Sequence, residues 1–460
     1  MLVAIIGGGP GGYEAALVAR QCGAEVTLIE QDGPGGSAVL TDCVPSKALI
    51  AVADVLTVAG ESGDLGVTLA QQPVRPGVIG VDIAAANTRI QALAAEQSRD
   101  IGARLVREGV TLVAGTARLA DGDVIIATKA GEERLSPDAV LIATGARPRL
   151  LPGAEPDGER ILTWEQLYQM SELPKRLIVV GSGVTGAEFA SGYRAMGSEV
   201  VLVSSRDRVL PGEDADAAQV IEAAFQRRGV EVEARSRAAE VTRTDTGVTV
   251  ELTDGRTLEG SHCLMAVGSI PNTDGLGLST AGVSTDDGGF ITVDRVSRTS
   301  AAGIYAAGDC TGVMMLASVA AMQGRIAMWH LLGQSVHPLD MRTVSSNVFT
   351  DPEIATVGYT QADIDAGEIS AEVIMLPLNT NPRAKMQGIQ DGFVKVFCRS
   401  DTQIVVGGVV VAPRASELIY PLAIAVDRGL SVTQLAEAFT VYPSLTGSIA
   451  EAARKLRNTD

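Results

Sequence analysis

The stretch LVAIIGGGPGGYEAA, residues 2–16, decides the fold. Five apolar residues lead into Gly7-x-Gly9-x-x-Gly12 and then into an alanine-rich run, the pattern of a strand, a tight turn and a helix start. Such glycines let the backbone turn sharply and approach a pyrophosphate, which then faces the helix N-terminus. One copy is weak evidence, but KRLIVVGSGVTGAEFA at 175–190 repeats the plan with Gly181, Gly183 and Gly186. Each copy has a second strand downstream, AEVTLIE at 24–30 and SEVVLVS at 198–204, and each half closes on a similar signature, LIATGARP at 141–148 and LMAVGSIP at 264–271. Four features matched twice imply an α/β chain with two dinucleotide sites.

Working outward, DVIIATKAGEERLSPDAVLIATG and GVTVELTDGRTLEGSHCLMAVG each read as a hairpin of alternating residues feeding a strand. The segment GIYAAGDCTGVMMLASVAAMQGRIA holds an apolar strand ending at Gly308-Asp309 and then a long helical pattern. Beyond His337-Pro338 there is no further glycine fingerprint. FVKVFC and IVVGGVVVAP read as adjacent strands, and SELIYPLAIAVDRG and SLTGSIAEAARKL as helices, so a third, α+β unit is expected.

Composition agrees. The 460 residues suffice for roughly three domains of ~150 residues. Glycine is abundant at 51 and aromatics are scarce at 3%, as expected for many tight strand-to-helix turns. A formal charge of -18 offers no basic face for a phosphate backbone, so nucleic acid is not expected as a partner. The opening residues lack a basic n-region and their apolar run is broken by glycines after six residues, which reads as a strand and not a signal peptide. No run approaches ~18 apolar residues, so no membrane span and a cytoplasmic protein are expected. The five cysteines, Cys22, Cys43, Cys263, Cys310 and Cys398, have no metal-type spacing, and no metal is expected.

One loop remains, GGSAVLTDCVPSK at 35–47, in which Cys43 has no second cysteine nearby. With it in place the whole chain resembles the flavoprotein disulfide reductases, the group of lipoamide dehydrogenase and glutathione reductase. The order of motifs is that family's: the fingerprint at Gly7, the loop at 35–47, Ala143-Thr144-Gly145, the fingerprint at Gly181, and Gly308-Asp309. The resemblance implies two Rossmann-like dinucleotide-binding domains and a C-terminal α+β dimerisation domain. It divides the chain into an FAD-binding first segment at 1–150, an NAD(P)-binding domain at 151–274, a second FAD or central segment at 275–336, and the dimerisation domain at 337–460. A homodimer is implied.

It also implies roles. Gly7, Gly9, Gly12, Gly36, Ala143, Thr144, Gly145, Gly308 and Ala317 would border FAD, Glu30 would bind its adenosine ribose and Asp309 a ribityl hydroxyl. Gly181, Gly183, Gly186 and Gly268 would border NADPH or NADH, and Lys47 and Glu188 would pair against the flavin ring. A lysine there stabilises charge arriving on the ring, and a carboxylate keeps it oriented and protonated. Glu30 lies 23 residues beyond Gly7; the same step from Gly181 reaches Ser204, with Arg206 and Arg208 just beyond. An acid there would repel a 2'-phosphate, whereas serine and arginines would accept it, so NADPH is expected to serve at least as well as NADH.

The departures from the family set the chemistry. Alanine stands at position 38, where the substrate-attacking cysteine belongs. The C-terminal histidine and glutamate of the family correspond to Tyr442 and Gly447 in VYPSLTG, and no histidine follows His337. Three elements of thiol chemistry are missing together while both fingerprints are intact. The expected activity is hydride transfer from NAD(P)H through FAD to a quinone, without disulfide reduction. Tyr442, from the partner subunit, is a candidate hydrogen-bond donor to the quinone, and Cys43 stays a candidate for chemistry or structure. A soluble transhydrogenase and a non-catalytic redox sensor are the alternatives.

Overall fold

The computed structural model describes residues 1–457. Both glycine turns sit at the C-terminal edge of a five-stranded parallel sheet. In the first sheet the order is Ile304–Ala306, Ala139–Ile142, Leu2–Ile6, Glu25–Glu30, Thr111–Ala114. In the second it is Ile161–Leu162, His262–Met265, Arg176–Val180, Glu199–Val203, Val230–Glu233. The four strands from the closing signature outward correspond one to one. Only the outermost strand differs, since the first sheet borrows it from residues that follow the second sheet, and the second takes it from residues that precede its own glycine turn. Register agrees as well: Ile5 pairs with Leu28 and Leu141, and Val179 with Leu202 and Leu264. These strands are covered on both faces, which is why they read as unbroken apolar runs; Val3, Ile5, Leu177 and Val179 are fully buried.

Each half also carries a three-stranded antiparallel sheet, Thr116–Ala120, Asp123–Thr128 and Gly131–Leu135 in one, and Ala238–Arg243, Val248–Leu252 and Thr257–Gly260 in the other. The expected hairpins are there, each with a preceding strand that period-two reading did not separate from its loop. A two-stranded tie, Ala146–Pro148 against Ser269–Pro271, joins the two closing signatures. The C-terminal unit is a five-stranded antiparallel sheet in which Phe393–Arg399 and Val405–Ala412 are adjacent, as expected, with helices Tyr420–Arg428 and Gly447–Leu456 packed on it.

Two helices place the site. Pro10–Gln21 runs from the first glycine turn and packs on Ala317–Leu331 so closely that a Cβ on Gly324 would strike the Gly11 carbonyl oxygen. Cys43–Glu61 runs along Val184–Met196, the helix of the second turn. One expectation needs correction here. The helical stretch Gly36–Leu65, mean hydropathy 1.5, has the length and composition of a membrane span after all. Its lysine, Lys47, is ion-paired with Glu188 of the neighbouring helix, and Leu49, Ile50 and Ala53 are buried in the protein core, whereas Val55 and Val58 are exposed.

Candidate active site

A cavity of about 980 Å³ opens at the C-terminal edge of the first sheet. Its walls bring together residues far apart in the chain: Gly7 and Gly9 of the turn, Glu30, Gly36, Ala143 to Gly145, and Gly308, Asp309 and Ala317 from the second segment. Gly12 is not on the wall; it lies beneath the turn, where a Cβ would strike the Gly7 carbonyl oxygen. A Cβ on Gly36 would come within 2.9 Å of the Gly9 Cα, so the loop and the turn can be this close only as glycines. Glu30 is held by backbone amides, its Oε2 accepting from Gly8 N at 2.6 Å and its Oε1 from Asp32 N at 2.8 Å. The Thr144 hydroxyl is buried with no hydrogen-bond partner, and the Asp309 carboxyl on the wall has none among the described residues. Burial, helped by nearby Asp42, pushes the Asp309 pKa up to about 6. Orphaned hydroxyl and carboxyl groups beside a glycine cradle are the donor set that FAD, a polyol diphosphate, satisfies; these residues fit it.

One helical turn beyond Cys43, Lys47 Nζ meets Glu188 Oε2 at 2.8 Å, across 141 residues of sequence. The Glu188 side chain is only 4% exposed, and its other oxygen accepts from Phe349 N at 2.8 Å. Burial works to lower the Lys47 pKa, but the carboxylate and its hydrogen bond outweigh it and hold the ammonium above its ordinary value. The Phe349 ring lies 4.9 Å from Nζ and adds a cation–π contact. The ammonium is therefore held in a fixed ion pair with the Glu188 carboxyl group.

Ala38, Asp42 and Cys43 share one wall of the cavity. Cys43 opens its helix, a position that ordinarily favours a thiolate. Here burial, and then the Asp42 carboxylate, push the thiol up to about 12, against the weaker pull of Lys47. Cys43 is a neutral thiol at any physiological pH. All five cysteines are free. Asp42 has the N-cap position but makes no capping bond, and its own pKa is raised by burial. Beside it Thr41 donates to Glu165 at 3.4 Å. Asp42 and Glu165 were not singled out from sequence, because an aspartate before a cysteine carries no local signal. Tyr442 lies elsewhere: it is 81% exposed and not on this cavity's wall within one chain.

The second turn repeats the first in atomic detail. A Cβ on Gly181 would strike the Ala266 carbonyl oxygen as one on Gly7 would strike that of Ala143, and Gly186 stands to Gly181 as Gly12 stands to Gly7. Gly9 and Gly183 face open space, as do Gly145 and Gly268 of the closing signatures. The expected ribose position is different from its counterpart. Glu30 is on an open wall, whereas Ser204 is fully buried and its hydroxyl is occupied by Ser182 at 2.7 Å and by the carbonyls of Arg206 and Arg208. Ser204 anchors the turn and cannot itself meet a 2'-phosphate; Arg206, just beyond, is exposed.

Residues 1–324 match the pyridine nucleotide-disulphide oxidoreductase family, and residues 344–453 match that family's dimerisation domain. The chain belongs to this family. Members of it are FAD-dependent and use NAD(P)H. An NAD(P)H dehydrogenase (quinone) of Mycobacterium tuberculosis is 54% identical over 100% of this chain and 94% of its own length. The crystal structure of LpdA from the same organism superposes with a TM-score of 0.94 at 53% identity, covering all of both chains. A dihydrolipoyl dehydrogenase of Haloarcula marismortui is 34% identical over 98% of this chain and 96% of its own. The family's paired redox cysteines are not both present here, since position 38 is alanine and Cys43 is free.

Proposed function

We propose that this protein is an FAD-dependent NAD(P)H quinone reductase that does not reduce disulfides. The observation that carries the reading is the combination on one wall: Ala38 in place of a nucleophile beside a neutral Cys43 thiol, next to an intact Lys47–Glu188 pair and two intact nucleotide turns. The name of the 54% identical relative supports it. The balanced reaction is NAD(P)H + H⁺ + quinone giving NAD(P)⁺ + hydroquinone. Bound in the cavity, FAD supplies hydride acceptance and release. The protein's share is to hold and orient. Gly181 and Gly186 allow the tight turn and Gly183 leaves open space for the nicotinamide dinucleotide's pyrophosphate at the N-terminus of helix Val184–Met196, Glu30 and Asp309 hold hydroxyls, and the Lys47 ammonium stabilises negative charge arriving nearby.

The dimerisation domain supports a homodimer, in which Tyr442 of one subunit completes the site of the other. A phenol with an ordinary pKa near ~10 stays protonated at neutral pH and can donate to a quinone carbonyl, favouring the oxyanion that forms there. Five free cysteines fit a reducing compartment, the cytoplasm. An acceptor screen with FAD-loaded protein tests the reading: quinones turn over, while lipoamide, glutathione disulfide and thio-NADP⁺ do not. Efficient thio-NADP⁺ reduction makes it a transhydrogenase, and turnover with no acceptor makes it a sensor. Tyr442→Phe lowers the quinone rate and leaves reduction by NADPH unchanged; equal quinone rates remove Tyr442 from the chemistry.

A further inference from the structure

The C-terminal edge of the second sheet carries a pair of arginines that lie 29 residues apart in sequence, Arg206 and Arg235. Strand Glu199–Val203 is followed by Ser204, and the strand beside it, Val230–Glu233, by Ala234. Their hydrogen bonding continues past both ends: Ser204 N donates to Glu233 O at 2.9 Å, Ser236 N to Ser204 O at 2.8 Å, and Arg235 N to Arg206 O at 2.7 Å. Arg235 takes a left-handed φ of 54°, an uncommon conformation for a residue with a Cβ, and the bond to Arg206 holds it there. The two arginines are thus tied backbone to backbone beside the Gly181 turn, whose amide donates to Val203 O at 3.0 Å.

Their charges are free. Arg206 and Arg235 are exposed, and neither side chain has an ion pair or hydrogen bond among the described residues; the same is true of Arg237. Arg256, near them, is fully engaged by Glu233, Asp254 and the Ser236 hydroxyl. In a chain of net charge -18 acids are plentiful, and Asp207 in the same turn is exposed, yet these guanidinium groups take none of them. A planar guanidinium donates in parallel to two oxygens of a phosphate, and two of them on backbone-tied neighbouring strand ends match a dianion.

We infer that Arg235, reaching from the neighbouring strand end, joins Arg206 in clamping the 2'-phosphate of NADPH, and that this pair sets the coenzyme choice in place of Ser204. The inference rests on the proposed binding of a nicotinamide dinucleotide at Gly181. Neither Arg235 nor Arg206 touches the reacting atoms, so both are specificity residues.

The test is calorimetric binding of 2',5'-ADP and of 5'-AMP to the FAD-loaded dimer, beside the KM values for NADPH and NADH. Arg235→Ala and Arg206→Ala each weaken 2',5'-ADP by about ten-fold, the worth of one charge-assisted contact, and leave 5'-AMP unchanged. The KM for NADPH rises and that for NADH does not. Arg237→Ala removes the same charge nearby and controls for a mere field effect. Unchanged 2',5'-ADP affinity in Arg235→Ala, or equal weakening in Arg237→Ala, overturns the clamp. Absence of quinone reduction by the parent protein with both NADPH and NADH strikes at the proposed function, and the 2',5'-ADP binding data still judge the clamp.

Discussion

At Asp309 the protein keeps a half-buried carboxyl on the cavity wall with no protein partner among the described residues. Its pKa of about 6 lies above the ~3.9 of an unfolded chain, so between those values the native state holds more protons than the unfolded state. Stability of the FAD-free protein therefore falls as pH rises from about 4 to 6, and the loss persists above it. Asp309→Asn removes the ionisation. We expect the FAD-free variant to melt higher than the parent at pH 7 and equally at pH 4, while retaining less FAD after desalting. Melting curves at the two pH values check this, and a difference that does not depend on pH rules out ionisation of Asp309 as its source. At Cys43 burial likewise favours the neutral form, pushing the thiol up to about 12.

At the scale of elements, the glycine turns separate what the fold needs from what the cofactor needs. Gly186 is enclosed by the Gly181 carbonyl, whereas Gly183 faces open space. Gly186→Ala is expected to destabilise the second domain by an overpacking cost of about 1–3 kcal/mol and to lower coenzyme affinity with it. Gly183→Ala should leave the melting temperature unchanged and raise the KM for both coenzymes, because its Cβ would enter the open space proposed for the pyrophosphate. Thermal melts and kinetics on the two variants check the contrast; equal melting temperatures would refute it. The same turns show why so much was legible in sequence. Strand, turn and helix start lie within fifteen residues, and the steric demand at each glycine is local. Ser204 misled because equal spacing does not ensure equal exposure: Glu30 points to a cavity, and Ser204 into a turn. Arg235 was invisible because its proximity to Arg206 depends on strand order. Asp42 and Glu165 gain their importance only from the wall they share. The Lys47–Glu188 pair, 141 residues apart, was reached only through family resemblance.

At the scale of the molecule, one chain leaves apolar surface uncovered on helix Cys43–Glu61 and on the loop before helix Gly447–Leu456, among other places. Val55 and Val58 on helix Cys43–Glu61 are 67% and 71% exposed, and Phe439 and Val441 beside Tyr442 are 106% and 77% exposed. Clustered exposed side chains of this kind mark an interface, and the dimerisation domain names the partner as a second copy. Val58→Asp should shift the protein toward monomer in light scattering and lower quinone turnover with FAD still bound. A dimer of unchanged mass and activity would remove this helix from the interface.

The central claim, that flavin is the only electron store, is tested most directly by anaerobic titration of the FAD-loaded protein with NADPH. One equivalent per FAD should bleach the flavin completely, with no long-wavelength charge-transfer band, because Ala38 leaves Cys43 nothing to pair with. Uptake of two equivalents, or a stable charge-transfer band from a thiolate of a reduced disulfide, would contradict the account and show that another cysteine supplies the missing partner.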